Sequence, residues 1–199
     1  MYKLFIASSN PGKIKEIKEC LTGLNIEFFS MLDSGNFTDI EETGNSFEEN
    51  AFLKAKVVFD IVKTDVIADD SGLEVDFLNG EPGIYSARYS GTGATDEKNC
   101  RKLLDALADV RDESLRGAQF RCVIALYDGI SKRSFEGICR GKINFEPKGS
   151  GGFGYDPLFV PAGFDRTFAE MDPKTKNSIS HRGKALKSLA DFLKIELGT

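Results

Sequence analysis

Residues 2–21 read YKLFIASSNPGKIKEIKECL. Tyr2–Ala7 is an apolar run of the length of a buried strand. Asn10-Pro11-Gly12 breaks it, and Lys13–Leu21 is expected to be helical, with Ile14, Ile17 and Leu21 on one stripe. The chain therefore opens as strand, polar turn, helix. A short strand is expected at Ile26–Met31, then a polar, loop-like stretch at Ser34–Asn45. Ser46 caps a long helix. Glu49 stands at capping-box spacing, and Phe47, Ala51, Ala55, Val58 and Val62 form the apolar stripe. Val66–Ala68 is β-rich and is expected to end at Asp69-Asp70-Ser71-Gly72. Leu73, Val75 and Phe77 then alternate with Glu74 and Asp76, as in a half-exposed strand.

Farther on, Glu81–Gly93 reads as an ordered loop rich in Gly, Pro and Tyr. Thr95 is an N-cap for a helix to about Asp109, with Asp96 and Glu97 in its first turn. Phe120, Cys122, Ile124 and Leu126 alternate. Asp128-Gly129 is a hairpin signal, and Lys132–Cys139 is its returning strand. Pro147–Pro157 is Gly-rich. A last helix is expected at Arg182–Leu197, with Leu186, Leu189, Leu193 and Leu197 on its stripe. Early alternation of strands and helices, with a late hairpin, predicts an α/β fold with a mixed sheet. The 199 residues suit one domain, residues 1–199, or two lobes sharing one chain.

The formal net charge is −5. Recognition of nucleic-acid backbones needs clustered Lys and Arg, so a nucleic-acid partner is not expected. The four cysteines, Cys20, Cys100, Cys122 and Cys139, form no CxxC pair, which argues against zinc and for free, buried thiols in a reducing compartment. Met1–Ala7 is too short for a signal peptide, and no apolar run reaches about 18 residues, so the expectation is a soluble cytoplasmic protein with no membrane partner.

Four polar, Gly-containing segments fall at element ends, where open α/β sheets bind ligands. Ser8-Ser9-Asn10-Pro11-Gly12-Lys13 precedes a helix start, a place that favours anions, and Lys13 adds a point charge. It lacks the first Gly and the Ser/Thr of a P-loop, and it also reads as an ordinary turn with a solvated Lys. Asp69 and Asp70 repel each other and suit a cation such as magnesium, or else an Asx turn. Alternation would turn one of them to a cleft and leave the other to hold the turn. Glu41 and Glu42 are further metal carboxylates or a solvated acidic loop. In Gly151–Asp156, Phe153 and Tyr155 are positioned to stack on a base and Asp156 to accept from it, or the aromatics are core. The fourth segment, Ser180-His181-Arg182-Gly183, holds the only His in the chain, which is either structural or a donor to a base edge.

Together these segments resemble the inosine triphosphate pyrophosphatase family, also called dITP/XTP pyrophosphatases. The resemblance rests on Ala7–Lys13, Glu41–Lys54 (EETGNSFEENAFLK), Ala68–Gly72 (ADDSG), Pro82–Gly91 (PGIYSARYSG), Thr95–Asn99, Gly151–Pro157 (GGFGYDP) and Ser180–Leu186 (SHRGKAL). It implies two α/β lobes around a long, bent mixed sheet with the active site in the cleft, a homodimer, and Mg2+ as cofactor. It also implies hydrolysis of deaminated purine nucleoside triphosphates (ITP, dITP, XTP) to the monophosphate and pyrophosphate. By position, Ser8, Ser9, Asn10, Pro11, Gly12 and Lys13 correspond to the triphosphate loop. Glu41 and Asp70 correspond to the metal carboxylates, Asp70 also to the catalytic base, and Ser71 to a substrate contact. Phe153, Gly154, Tyr155, Asp156, Lys176, His181 and Arg182 correspond to the nucleotide and base pocket. Relatives carry Thr-Gly-Asn where this chain has Ser8-Ser9-Asn10, so a positive φ at Ser9 would be strained. Rival readings are a pyrophosphatase of different base choice, a non-catalytic nucleotide sensor and a nucleic-acid module.

Overall fold

The computed structural model describes residues 1–34, 37 and 40–198. The expected loop at 34–45 therefore lies partly outside the described residues. In chain order the elements are β1 (Tyr2–Ile6), α1 (Pro11–Cys20), β2 (Ile26–Ser30), α2 (Met31–Ser34), α3 (Phe47–Val62), β3 (Val66–Val75), α4 (Asp96–Ala106), β4 (Gly117–Tyr127), β5 (Lys132–Ile143), β6 (Phe159–Pro161), α5 (Pro173–Ile179) and α6 (His181–Leu197). Among the described residues the strands make one six-stranded sheet in the order β2-β1-β3-β4-β5-β6. β1 runs parallel to β2 and β3, while β5 and β6 are antiparallel. The sheet is thus mixed, as the strand–helix alternation and the late hairpin predict.

The chain divides into two compact units. The first comprises Met1–Asp70, Cys122–Gly137 and Arg182–Thr199, the second Ser71–Arg121 and Ile138–His181. In the first unit the period of two along each strand builds two separate cores. Leu4, Ile6, Ile67, Cys122 and Ile124 pack with Ile14 and Ile17 of α1 and Leu186, Leu189 and Leu193 of α6. Phe5, Ala7, Val66, Ala68 and Ala125 pack with Ala51, Ala55 and Val58 of α3. The second unit closes on Leu73, Val75, Leu103, Leu107 and an aromatic group in which Phe120 meets Phe159 edge-on, 4.8 Å between centroids. Arg116 is buried there and donates to the carbonyls of Leu107, Val110, Ile143 and Asn144. It thereby satisfies orphan acceptors at the end of α4.

Several expectations change. β3 does not stop at Ala68 but runs unbroken through Asp69-Asp70-Ser71-Gly72 to Val75. Cations supplied by helices neutralise the two carboxylates, so they can stay in a strand. The 3-10 turn Asp76–Leu78 then ends the strand and leaves Phe77 exposed. Another 3-10 turn, Gly83–Arg88, organises the loop before α4. The Ser46 hydroxyl accepts from the Glu49 N–H as expected, but the Glu49 carboxylate accepts from the Asn45 N–H instead of completing the box. Helix α4 ends at Ala106, short of Asp109. α5, β6 and α2 are additional elements. All four cysteines are free, but Cys20 is exposed. Among the described residues no helix is long and apolar enough to cross a membrane.

Candidate active site

In the first unit, Asp69 and Asp70 point to opposite faces of β3 and gather different cations. Asp69 is nearly inaccessible. Its Oδ2 lies 3.1 Å from Arg182 Nη2 and 3.2 Å from Lys13 Nζ. Burial alone would raise its carboxyl, but Lys13, Arg182 and Lys54 override that and hold it well below the usual carboxylate range. Arg182, at the start of α6, also donates to Glu16 Oε2 at 2.7 Å. This expectation needs correction: Asp69 does not hold a turn. It ties the helix that carries Lys13 to the helix that carries Arg182.

Asp70 faces α3. Its Oδ1 is 3.5 Å from Lys54 Nζ, which also donates to Glu42 Oε1 at 2.9 Å and to the Asp69 carbonyl at 2.7 Å. Burial first, then the Glu42 charge, raises the Asp70 carboxyl against the pull of Lys54 and a hydrogen bond with Asn50. Asn50 Oδ1 accepts from the Gly44 N–H at 2.8 Å, which pins the Glu41–Gly44 segment to α3. Glu41 itself is exposed. The acidic neighbour the structure sets beside Asp70 is Glu42, one residue on from the expected position, because the Gly44 anchor and Lys54 fix Glu42 inward.

The Ser8–Lys13 loop sits directly on α1. Asn10 is the N-cap, its Oδ1 accepting from the Lys13 N–H at 3.1 Å, and Pro11 takes the first helical position. Ser8 Oγ accepts from the Asn10 N–H at 3.2 Å. Ser8 and Gly12 are half-buried, while Ser9, Asn10 and Pro11 are exposed. Ser9 is not among the residues with positive φ, so its Cβ brings no strain.

In the second unit the Gly151–Asp156 loop is built around Asp156. Asp156 Oδ2 accepts from the Phe153 N–H at 2.9 Å and from Lys176 Nζ at 2.7 Å. Gly152 has φ +74°, and a Cβ there would lie 2.0 Å from Asp156 Oδ2, so only glycine fits. Tyr155 is not a stacking surface: it is buried in the core and its hydroxyl donates to the Ser86 carbonyl at 2.9 Å. Phe153 remains half-buried, with Lys176 Nζ 4.9 Å above its ring. The Gly154 peptide is clamped by α4: Asp96 Oδ2 accepts its N–H at 2.7 Å, and Cys100 Sγ lies 3.4 Å from its carbonyl. His181 is buried and stacks on Phe120 at 4.6 Å with an 11° interplanar angle. Ser71 is half-buried on β3.

Sequence reasoning missed Lys54, Asn50, Glu16 and Asp96 as parts of this machinery. The signal for Asn50 and Lys54 was present, since both interrupt the apolar stripe of α3 at helical spacing from Phe47 and Ala51.

Residues 4–192 match the model of the Ham1 family. The chain is 47% identical over 195 residues to a dITP/XTP pyrophosphatase of Oceanobacillus iheyensis, covering 97% of this chain and 98% of that protein. It is 46% identical to the dITP/XTP pyrophosphatase of Bacillus subtilis, covering 97% and 98%. Among solved structures, a HAM1 protein from Coxiella burnetii superposes with a TM-score of 0.90 at 42% identity, covering 98% of this chain and 100% of that one. With a matching family model over almost its whole length and relatives this similar, the chain belongs to the Ham1 family.

Proposed function

We propose that this protein hydrolyses deaminated purine nucleoside triphosphates (dITP, ITP and XTP) to the monophosphate and pyrophosphate, as the names of its relatives indicate for them. The observation that carries the reading is the division of labour at Asp69-Asp70. One carboxylate anchors Lys13 of the phosphate loop, and its neighbour stands in a raised, buried setting beside Glu42 and Lys54. A raised carboxyl suits a general base working near neutral pH.

Glu42 and Asp70 offer hard oxygen donors converging on one cation position, which fits Mg2+. Bound there, the metal would neutralise charge building on the phosphate oxygens. The chain's own residues do the rest. Lys13, Ser8 and the start of α1 hold the triphosphate, and Lys13 offsets the charge that moves toward the leaving group. Asp70 accepts a proton from water as the water oxygen bonds to the α-phosphorus. The bond from that phosphorus to the αβ-bridging oxygen breaks, and pyrophosphate leaves with the electron pair. Such chemistry is mostly positioning and electrostatics, so no Ser or Cys nucleophile is required. Ser71 contacts the substrate. In the second unit, Phe153 offers the stacking face, while Asp156 positions Lys176 and the loop. His181 and Arg182 are assigned to the purine 6-keto oxygen, which accepts where adenine would donate.

The protein is proposed to work in the cytoplasm and to form a homodimer, for which the exposed apolar side chains Phe77, Tyr85 and Leu115 are available as contacts. Pyrophosphate release from ITP, XTP, GTP, ATP and dUTP, with Mg2+ and with EDTA, tests the function. Metal-dependent turnover favouring ITP and XTP is expected. Tight ITP binding without turnover would make the protein a sensor and sink the catalytic reading.

A further inference from the structure

An ammonium group has three N–H donors, and in this structure the Lys54 ammonium faces three oxygens: Glu42 Oε1 at 2.9 Å, Asp69 O at 2.7 Å and Asp70 Oδ1 at 3.5 Å. The Lys54 side chain is 12% exposed, Glu42 21% and Asp70 8%. Lys54 therefore stands between the two carboxylates that suit a divalent cation, as a cation already built into the fold. On the other face of β3, Lys13 and Arg182 balance Asp69. Asp69 is thus committed elsewhere, and Glu42 and Asp70 are left to share Lys54.

We propose that Lys54 is the resident counter-cation of the Glu42–Asp70 pair, so that the pair takes a divalent metal only together with a nucleotide whose phosphates draw the Lys54 ammonium to themselves. This rests on the reading of Glu42 and Asp70 as the metal carboxylates. The physical ground is charge balance. A metal entering alone meets a pair that is already half neutralised, and it must crowd an ammonium a few ångströms away. A metal entering with a polyphosphate brings the anion that relieves that repulsion. Lys54 is in this sense a positioning residue that sets the order of assembly, in addition to any contact it makes with substrate.

The test is titration of Mn2+ alone into nucleotide-free protein, followed by electron paramagnetic resonance of the unbound ion and by calorimetry. Wild type, Lys54→Gln and Lys54→Gln/Glu42→Gln are compared. A unit charge at about 4 Å is worth at least about fivefold to tenfold in binding even under strong screening. Lys54→Gln is therefore expected to bind Mn2+ alone at least about tenfold more tightly than wild type, and the double variant to lose that gain. In wild type, a non-hydrolysable ITP analogue with a methylene bridge between the α- and β-phosphates is expected to form a protein–analogue–Mn2+ complex that binds more Mn2+ than the protein and the analogue bind when titrated separately. If Lys54→Gln fails to fold, this wild-type arm decides. Equal Mn2+ affinity in wild type and Lys54→Gln, or tight Mn2+ binding by nucleotide-free wild type, would overturn the proposal. Metal-dependent pyrophosphate release by wild type alongside such a result would leave the proposed function standing. Metal-independent release would remove the carboxylate–metal reading and this inference with it.

Discussion

Replacing Asp69 with Asn and Asp70 with Asn changes neighbouring residues by the same few atoms, yet the structure predicts opposite consequences. Asp69 is buried against Arg182 and Lys13, and Arg182 is itself almost fully buried. Removing one partner of a buried pair costs about 3–5 kcal/mol, because the surviving charge stays desolvated. Glu16 still accepts from Arg182, which places the loss toward the lower end. For a chain of this size that is a fall in Tm of roughly 6–15 °C. The two carboxyls also differ in pH behaviour. Asp69 is held low in the fold, so its contribution to stability is present above the unfolded value of about 4 and disappears as pH falls through the folded value. Asp70 is raised, so its contribution is present below about 4 and is lost as pH rises through its folded value. At neutral pH, Asp70→Asn therefore leaves stability within about 1 kcal/mol of wild type or improves it, while turnover falls at least about 100-fold through loss of the base. Urea and thermal unfolding near pH 4 and pH 7, read beside pyrophosphate release, make the comparison. A loss below about 1 kcal/mol for Asp69→Asn, or a destabilisation of Asp70→Asn equal to that of Asp69→Asn, would refute the assignment of the two faces.

Two further outcomes are expected. Asp96→Ala frees the Gly154 N–H, so KM for ITP rises about tenfold with kcat nearly unchanged, and Asp96→Asn, which keeps an acceptor oxygen, restores most of the loss in steady-state kinetics. Gly152→Ala forces a Cβ into Asp156 Oδ2 at a positive φ, so it destabilises by more than about 2 kcal/mol in urea unfolding and loosens Lys176 as well.

Much of the fold was legible because apolar period survives burial. The stripes of α1, α3 and α6 and the alternation in β4 lie where the residues say. The full length of β3 is hidden in the sequence because charged residues ordinarily end a strand, and the cations that let Asp69 and Asp70 stay in one come from Lys13, Lys54 and Arg182, distant in sequence. α5 has almost no apolar stripe, and only Asp172 as cap and Pro173 at the first position announce it. For the candidate site, residue types and order marked the loops but not the orientation of their side chains. Tyr155 goes to the core and Phe153 does not, and Glu42 turns inward while Glu41 stays exposed. Such choices depend on a few anchors distant in sequence or on another element, the Ser86 carbonyl for Tyr155 and the Asn50 and Lys54 side chains for the Glu42 segment.

The first unit is assembled from the beginning, the middle and the end of the chain, and Arg182 follows Asp69 by 113 residues. On a ribosome adding roughly 5–20 residues per second, the Lys13–Asp69 pair waits on the order of ten seconds for the guanidinium that completes it. Until α6 emerges, Asp69 and the loop that holds Lys13 lack their third partner, and Ile14 and Ile17 of α1 lack the leucines of α6 that pack in the same core. The charge cluster around Asp69 is therefore complete only once α6 has emerged and folded back onto β3.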